Sequence, residues 1–144
     1  MNSTAASLGY TEDCPHLTKT QLATYQEQGF LIVRQVFPRS EIAQIHAAFE
    51  RLHAKSQIFG TTRTYRGALF VVDSAPKKSA QTYSVHRVVW AGGAEPILDT
   101  FGSDQRLLGL ASEILKTKVM VQLINQAHFK YPHDGVTFDW HQDS

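Results

Sequence analysis

Residues 118–131 read KVMVQLINQAHFKY, and polar and apolar side chains alternate along most of this stretch. Alternation with a period of two is typical of a strand whose two faces meet different surroundings, so we predict a long strand here. Its polar face either lies in water or lines the inside of a barrel, where amide, imidazole and ammonium groups could bind a small dicarboxylate. That face carries Gln122, Ile124, Gln126, His128 and Lys130, and the other carries Val121, Leu123, Asn125, Ala127 and Phe129.

The next residues predict a turn and one further strand that carries metal-binding side chains. Residues 132–135 read PHDG, and residues 136–144 end in WHQDS, which places His141 and Asp143 two positions apart. On a strand these two side chains point to the same face and can bind one metal ion. An imidazole and a carboxylate are two of the three ligands that hold Fe(II) in a facial triad. The alternative is a polar pair exposed to solvent.

Upstream of this region the sequence predicts helices first and strands later. Thr18 and Gln21 form a capping box that opens a helix, and Gly29 ends it. We expect a strand at residues 30–36, FLIVRQV, and a second helix with Ser40 as N-cap that runs to about residue 56.

The middle of the chain alternates strands with breaks. Strands are predicted at residues 68–72 and 82–90, separated by an exposed loop, and Asp104 caps a helix over residues 105–115. This order favours an α+β fold with a mainly antiparallel sheet. We expect a flexible arm at residues 1–16 and a single domain over residues 17–144.

The composition limits the classes of partner. The chain has 144 residues, 42% of them hydrophobic, and a formal net charge of +1, so charge alone predicts neither nucleic acid nor an anionic membrane as a partner. No apolar run is long enough to span a bilayer, and the first residues do not resemble a secretory signal. Cys14 is the single cysteine and cannot close an internal disulfide. We therefore expect a cytoplasmic protein.

Three blocks of the sequence together resemble the N-terminal part of the phytanoyl-CoA dioxygenase family. They are LTKTQLATYQEQGFLIVRQVF at residues 17–37, RVVWAGGAEPILDTFGSDQRLLGLASEIL at residues 87–115 and NQAHFKYPHDGVTFDWHQDS at residues 125–144. The last block is the most specific. The resemblance implies an oxygenase that uses Fe(II) and 2-oxoglutarate, built on a double-stranded β-helix, which is a cupin-like or jelly-roll barrel with N-terminal helices packed on it.

The resemblance also implies roles for six residues. His141 and Asp143 match the first two iron ligands, while Gln126, His128, Lys130 and, on an earlier strand, Arg87 match positions that face 2-oxoglutarate. The family's third ligand, a histidine, and its 2-oxoglutarate-binding arginine lie downstream of the His-x-Asp motif. Neither residue is present in the sequence up to Ser144. We therefore expect an incomplete chain, truncated after the strand with the His-x-Asp motif and inactive alone. Its complete form would use dioxygen to hydroxylate a small organic substrate.

Two other functions stay open. The chain could be a non-catalytic binding module of the same fold, which would associate with itself or a partner through unpaired sheet edges. Alternatively, His141, Asp143 and an upstream histidine such as His128 could bind zinc.

Overall fold

A computed structural model describes residues 15–74 and 83–130 of the chain. The first helices of this region precede a sheet, and three further helices separate the third strand from the fourth. None of the described helices is long and apolar enough to cross a membrane. The elements are α1 (Lys19–Gln28), α2 (Arg39–Phe59), β1 (Arg63–Tyr65), β2 (Ala68–Ser74), β3 (Tyr83–Val89), α3 (Ala91–Ala94), α4 (Pro96–Gly102), α5 (Gln105–Leu115) and β4 (Gln126–His128).

The four strands form one antiparallel sheet in the order β1-β2-β3-β4. Each strand pairs with the next along the chain, so the sheet is a simple meander. The predicted α+β class with an antiparallel sheet is confirmed.

The core lies between one face of the sheet and the helices. Leu52 of α2 packs against Phe70, Val85 and Val88 of the sheet, and all four side chains are almost fully buried. Ala127 of β4 extends the same buried face. On the opposite face, side chains are exposed or only partly buried. The sheet therefore has one apolar face covered by helices and one more polar face.

The predicted helix ends are largely confirmed. Thr18 caps α1, with its hydroxyl accepting a hydrogen bond from the Gln21 amide at 3.2 Å, and Gly29 ends the helix with a φ of 78°. Asp104 caps α5 by accepting from the Arg106 amide at 2.9 Å. The prediction for α2 was wrong at its start, because Pro38 is the N-cap and Ser40 lies inside the first turn. Proline fixes φ and lacks an N–H, which suits it to a helix start.

Two predicted strands are absent or much shorter. Within residues 15–74 and 83–130, residues 30–36 join no ladder, and the predicted strand over residues 118–131 pairs only at Gln126–His128. Pairing ends where Gln126 meets Val89, because the next residue, Trp90, has a φ of 56° and turns the chain into α3. Residues 118–125 therefore have no strand beside them in the described region. Side chains of both predicted faces are exposed there, as for Leu123 of one face and Ile124 of the other.

The glycine pair Gly92 and Gly93 lets three segments pack closely. A Cβ atom on Gly93 would lie 2.5 Å from the carbonyl oxygen of Arg66 in the β1–β2 turn. One on Gly92 would lie 2.6 Å from the Cβ of Asp99 in α4. Helix α3 therefore contacts the hairpin and α4 through positions where only hydrogen fits. The sequence shows this pair only as a break in the chain.

Candidate functional site

Two of the predicted co-substrate residues are direct neighbours across the sheet. Arg87 of β3 pairs with His128 of β4 in the antiparallel register. Their chain neighbours Val88 and Ala127 are buried in the core, so Arg87 and His128 lie on the opposite face, where both are exposed. Side chains at such paired positions are about 5 Å apart at their Cβ atoms. A guanidinium and an imidazole can therefore act on one ligand at this place.

The other two predicted residues continue this face along β4 and beyond it. Gln126 is exposed and pairs with Val89, one step from the Arg87 and His128 pair on the same face. Lys130 follows β4 and is also exposed. Phe129, which lies between His128 and Lys130, packs against the core. We call Arg87, Gln126, His128 and Lys130 the polar sheet face.

A β-bulge adds a second histidine close to the polar sheet face. Val71 pairs with Arg87 and Val72 pairs with Val85, so His86 is an extra residue in β3. Its Nε2 atom lies 3.1 Å from the Oδ2 atom of Asp73 on β2. Sequence reasoning did not find this pair.

The burial pattern of β3 shows the same bulge, whereas the sequence alone does not, because Val85, Arg87 and Val89 follow the spacing of two of a regular strand. Val85 and Val88 are both apolar and are both buried, yet they stand three positions apart instead of two. An extra residue between two inward-facing positions is what a β-bulge inserts, and bulges change the direction of side chains.

The polar sheet face suits an anionic ligand. Arg87 can donate two parallel hydrogen bonds to a carboxylate, Lys130 adds a positive charge, and the Gln126 amide can donate as well. The carboxylate of Asp73, beside this face, already has an imidazole partner in His86. The polar sheet face itself contains two cationic side chains and no carboxylate, which favours a dicarboxylate over a cation as its ligand.

The predicted iron ligands His141 and Asp143 lie outside the described residues. Within residues 15–74 and 83–130, no three His, Cys, Asp or Glu side chains come close enough together to hold a metal ion. The structure thus positions four predicted co-substrate residues and leaves both ligand positions as predictions.

Comparison with known proteins decides the family. The family model described as phytanoyl-CoA dioxygenase (PhyH) matches residues 25–144, which is most of the chain and includes the His-x-Asp motif. The chain belongs to the phytanoyl-CoA dioxygenase family. The resemblance stated from the sequence blocks is thereby confirmed. Membership identifies the chain as part of an oxidoreductase family whose members are dioxygenases dependent on iron and 2-oxoglutarate.

Curated relatives of this phytanoyl-CoA dioxygenase family chain are ectoine dioxygenases. The protein from Streptomyces avermitilis is 27% identical over 134 residues, which cover 92% of this chain and 41% of the relative. The protein from Bordetella bronchiseptica is 27% identical over 127 residues, covering 88% of this chain and 37% of the relative. The chain thus spans about two fifths of the length of these relatives. No solved structure matches it significantly.

Proposed function

We propose that the chain forms part of an Fe(II)- and 2-oxoglutarate-dependent dioxygenase that hydroxylates a small organic substrate. The observation that carries this proposal is the polar sheet face, where Arg87 and His128 pair across two strands. Gln126, His128 and Lys130 of this face shortly precede His141 and Asp143 in the sequence. A binding face for an anionic co-substrate and a candidate iron motif are therefore consecutive in the sequence.

In this proposal each residue has a distinct task. Arg87 and Lys130 hold the carboxylates of 2-oxoglutarate, and Gln126 and His128 orient it through hydrogen bonds. His141 and Asp143 hold the metal, since an imidazole and a carboxylate are donors that Fe(II) accepts. Bound Fe(II) together with 2-oxoglutarate supplies the oxidising power that uses dioxygen to hydroxylate an unactivated C–H bond.

The proposal also includes a barrel. One face of the described sheet is apolar and covered by helices, while the other carries exposed polar groups. In a double-stranded β-helix the second face becomes the inside of the barrel, where water is excluded and electrostatic interactions with the co-substrate strengthen.

Metal and co-substrate binding can be tested separately on the 144-residue chain. Anaerobic equilibrium dialysis with Fe(II) should show weaker binding for His141→Ala and for Asp143→Ala than for the unaltered chain, with His133→Ala as the matched control. Titration with 2-oxoglutarate should show at least tenfold weaker binding for Arg87→Ala and unchanged binding for Arg34→Ala. Equal metal affinity in all variants would contradict the ligand assignment.

Turnover needs a longer protein for its test. A chimera in which this chain replaces the matching two fifths of the Streptomyces avermitilis relative should convert 2-oxoglutarate to succinate when a substrate is present. Ectoine is the first substrate to try, because the relatives are named ectoine dioxygenases. His141→Ala or Asp143→Ala in the chimera should abolish this turnover, and full activity in either would refute the assignment.

A non-catalytic interaction module is the second candidate, and exposed apolar segments favour it. Phe30 and Ile32 are 59% and 65% exposed, and Leu123 is 82% exposed, all in segments that join no described ladder. Such segments can pair with another chain. Sedimentation of the 144-residue chain as a stable dimer, together with an inactive chimera, would favour this candidate.

Metal analysis of the purified chain tests the zinc alternative. Zinc at full occupancy with no response to 2-oxoglutarate would support a site of His141, Asp143 and His128.

A further inference from the structure

A cavity of about 320 Å³ opens on the helical side of the sheet, between α2 and the β1–β2 hairpin. Its floor reaches the core at Leu52 and Phe70, which are 1% and 0% exposed. Ile58, which is 77% exposed, forms part of its apolar wall. Because Phe70 faces the helices, this cavity lies on the other side of the sheet from Arg87 and His128. We call it the hairpin cavity.

The rim of the hairpin cavity carries two cations on one aromatic ring. The Nζ atom of Lys55 lies 5.2 Å from the centroid of the Tyr65 ring, and the Cζ atom of Arg66 lies 5.3 Å from it. An aromatic face attracts a cation without neutralising its charge. Within residues 15–74 and 83–130, neither cation forms an ion pair with a carboxylate.

The acidic residue of the lining does not offset these charges. Glu95 binds Arg51 through two oxygens, with nitrogen–oxygen distances of 2.6, 3.0 and 3.1 Å. This pair is neutral overall, so the described lining keeps two net positive charges from Lys55 and Arg66. The two charges lie 5.2 and 5.3 Å from the centroid of the same ring, and an anion bound beside them would reduce the repulsion between them.

The backbone at Arg66 gives an independent indication. Arg66 and Gly67 join β1 to β2 with φ values of 49° and 80°. Two-residue hairpin turns with positive φ at both positions prefer asparagine followed by glycine, because other L-residues are strained there. Arginine is a costly choice for this turn, and its guanidinium lies over Tyr65 at the cavity rim. A strained residue at the edge of a cavity is a reason to look for function there.

We propose that the hairpin cavity binds a small amphiphilic anion, that is, a carboxylate or phosphate group joined to an apolar chain or ring. Lys55 and Arg66 bind the anionic group, and the apolar part lies over Leu52, Phe70 and Ile58. The volume is that of a site for a small ligand. Because the site is concave and its floor is buried, a free small molecule fits it better than a flat membrane surface does.

Arg66→Asn is a decisive variant because it should weaken anion binding without lowering the stability of the fold. Asparagine removes the cation and is the preferred residue for this turn, so the variant should unfold at an equal or higher temperature than the unaltered chain. Calorimetric titration of the 144-residue chain with octanoate and with octyl phosphate should show saturable binding. Arg66→Asn and Lys55→Met should each weaken that binding at least tenfold.

The matched control is Arg63→Asn, since Arg63 lies over Phe59, 4.7 Å from its centroid, and does not line the cavity. It should bind both probes within twofold of the unaltered chain, and octanol should bind far more weakly than octanoate. The proposal is overturned if neither probe binds saturably, if Arg66→Asn and Lys55→Met bind as tightly as the unaltered chain, or if octanol binds equally well. Binding to anionic vesicles without binding to either soluble probe also overturns it.

Discussion

Gly93→Ala tests whether close packing or helix propensity governs the short helix α3. Alanine is a better helix residue than glycine, and propensity alone predicts a gain of about 0.5–1 kcal/mol in the free energy of unfolding. The structure predicts the opposite sign. The added Cβ would lie 2.5 Å from the Arg66 carbonyl oxygen and 3.3 Å from the Ala68 nitrogen.

The size of the effect follows from what would have to move. Both atoms in contact belong to the backbone of the β1–β2 hairpin, so no side chain can rotate away. Helix and hairpin would have to separate by about half an ångström or more, because Cβ contacts under 3.0 Å are essentially never observed. Overpacking of this kind costs about 1–3 kcal/mol. Allowing for the propensity gain, we expect a net loss of about 1–2 kcal/mol.

Urea unfolding followed by tryptophan fluorescence measures this loss, since Trp90 directly precedes α3. With a slope of about 2 kcal/mol per molar urea, the midpoint should fall by about 0.5–1 M. Thr100→Ala in α4 is the control for a change that adds no contact, and it should stay within about 0.5 kcal/mol of the unaltered chain. If Gly93→Ala is as stable as the unaltered chain, or more stable, the packing argument is refuted.

Two further substitutions test local features of the fold. The Thr62 hydroxyl accepts a hydrogen bond from the Val72 amide at 2.9 Å and donates one to the Val72 carbonyl at 3.1 Å. Thr62→Val should therefore lower the free energy of unfolding by about 1–3 kcal/mol. Thr62→Ser, which keeps the hydroxyl, should lower it much less in the same urea assay. Asp104 accepts hydrogen bonds from the Arg106 side chain, and this contact lowers the pKa of the Asp104 carboxyl despite partial burial. The stabilisation by this contact is therefore present at neutral pH and is lost as the pH falls below about 4. Asp104→Asn, which can still cap α5, should have a lower free energy of unfolding than the unaltered chain at pH 7 and should approach it in acid. A stability difference that does not depend on pH would contradict this account.

Local signals in the sequence predicted local structure well. The capping box at Thr18 and the N-cap at Asp104 depend on side chains that bond to backbone groups two or three residues away. Such contacts form whatever the rest of the chain does, so their residue types can be read directly. The polar face of β4 was predicted for the same reason, because alternation within one strand is a local property.

Strand pairing was predicted poorly because it depends on a partner. Residues 30–36 and 118–125 have the composition of strands, but a ladder also needs a second strand in register. The left-handed conformation of Trp90 ends β3, and no local pattern in residues 118–125 reports that distant event. The close packing at Gly93 could not be predicted either, because the backbone atoms that leave no room for a side chain at Gly93 belong to a hairpin more than 20 residues earlier.

The unpaired segments and the polar sheet face are connected through β4. In the described sheet β4 is an edge strand, and it carries Gln126 and His128. If a strand that pairs with the free side of β4 continues into a closed barrel, the barrel would also cover the space in front of these side chains. Co-substrate binding at Arg87 and His128 should therefore strengthen when a barrel closes over this face, because the exclusion of water strengthens their interaction with a carboxylate. The oxygenase and the interaction module thus differ in what pairs with the edge of β4. A barrel encloses the polar sheet face for a small ligand, whereas a flat pairing of two sheets leaves that face open to water.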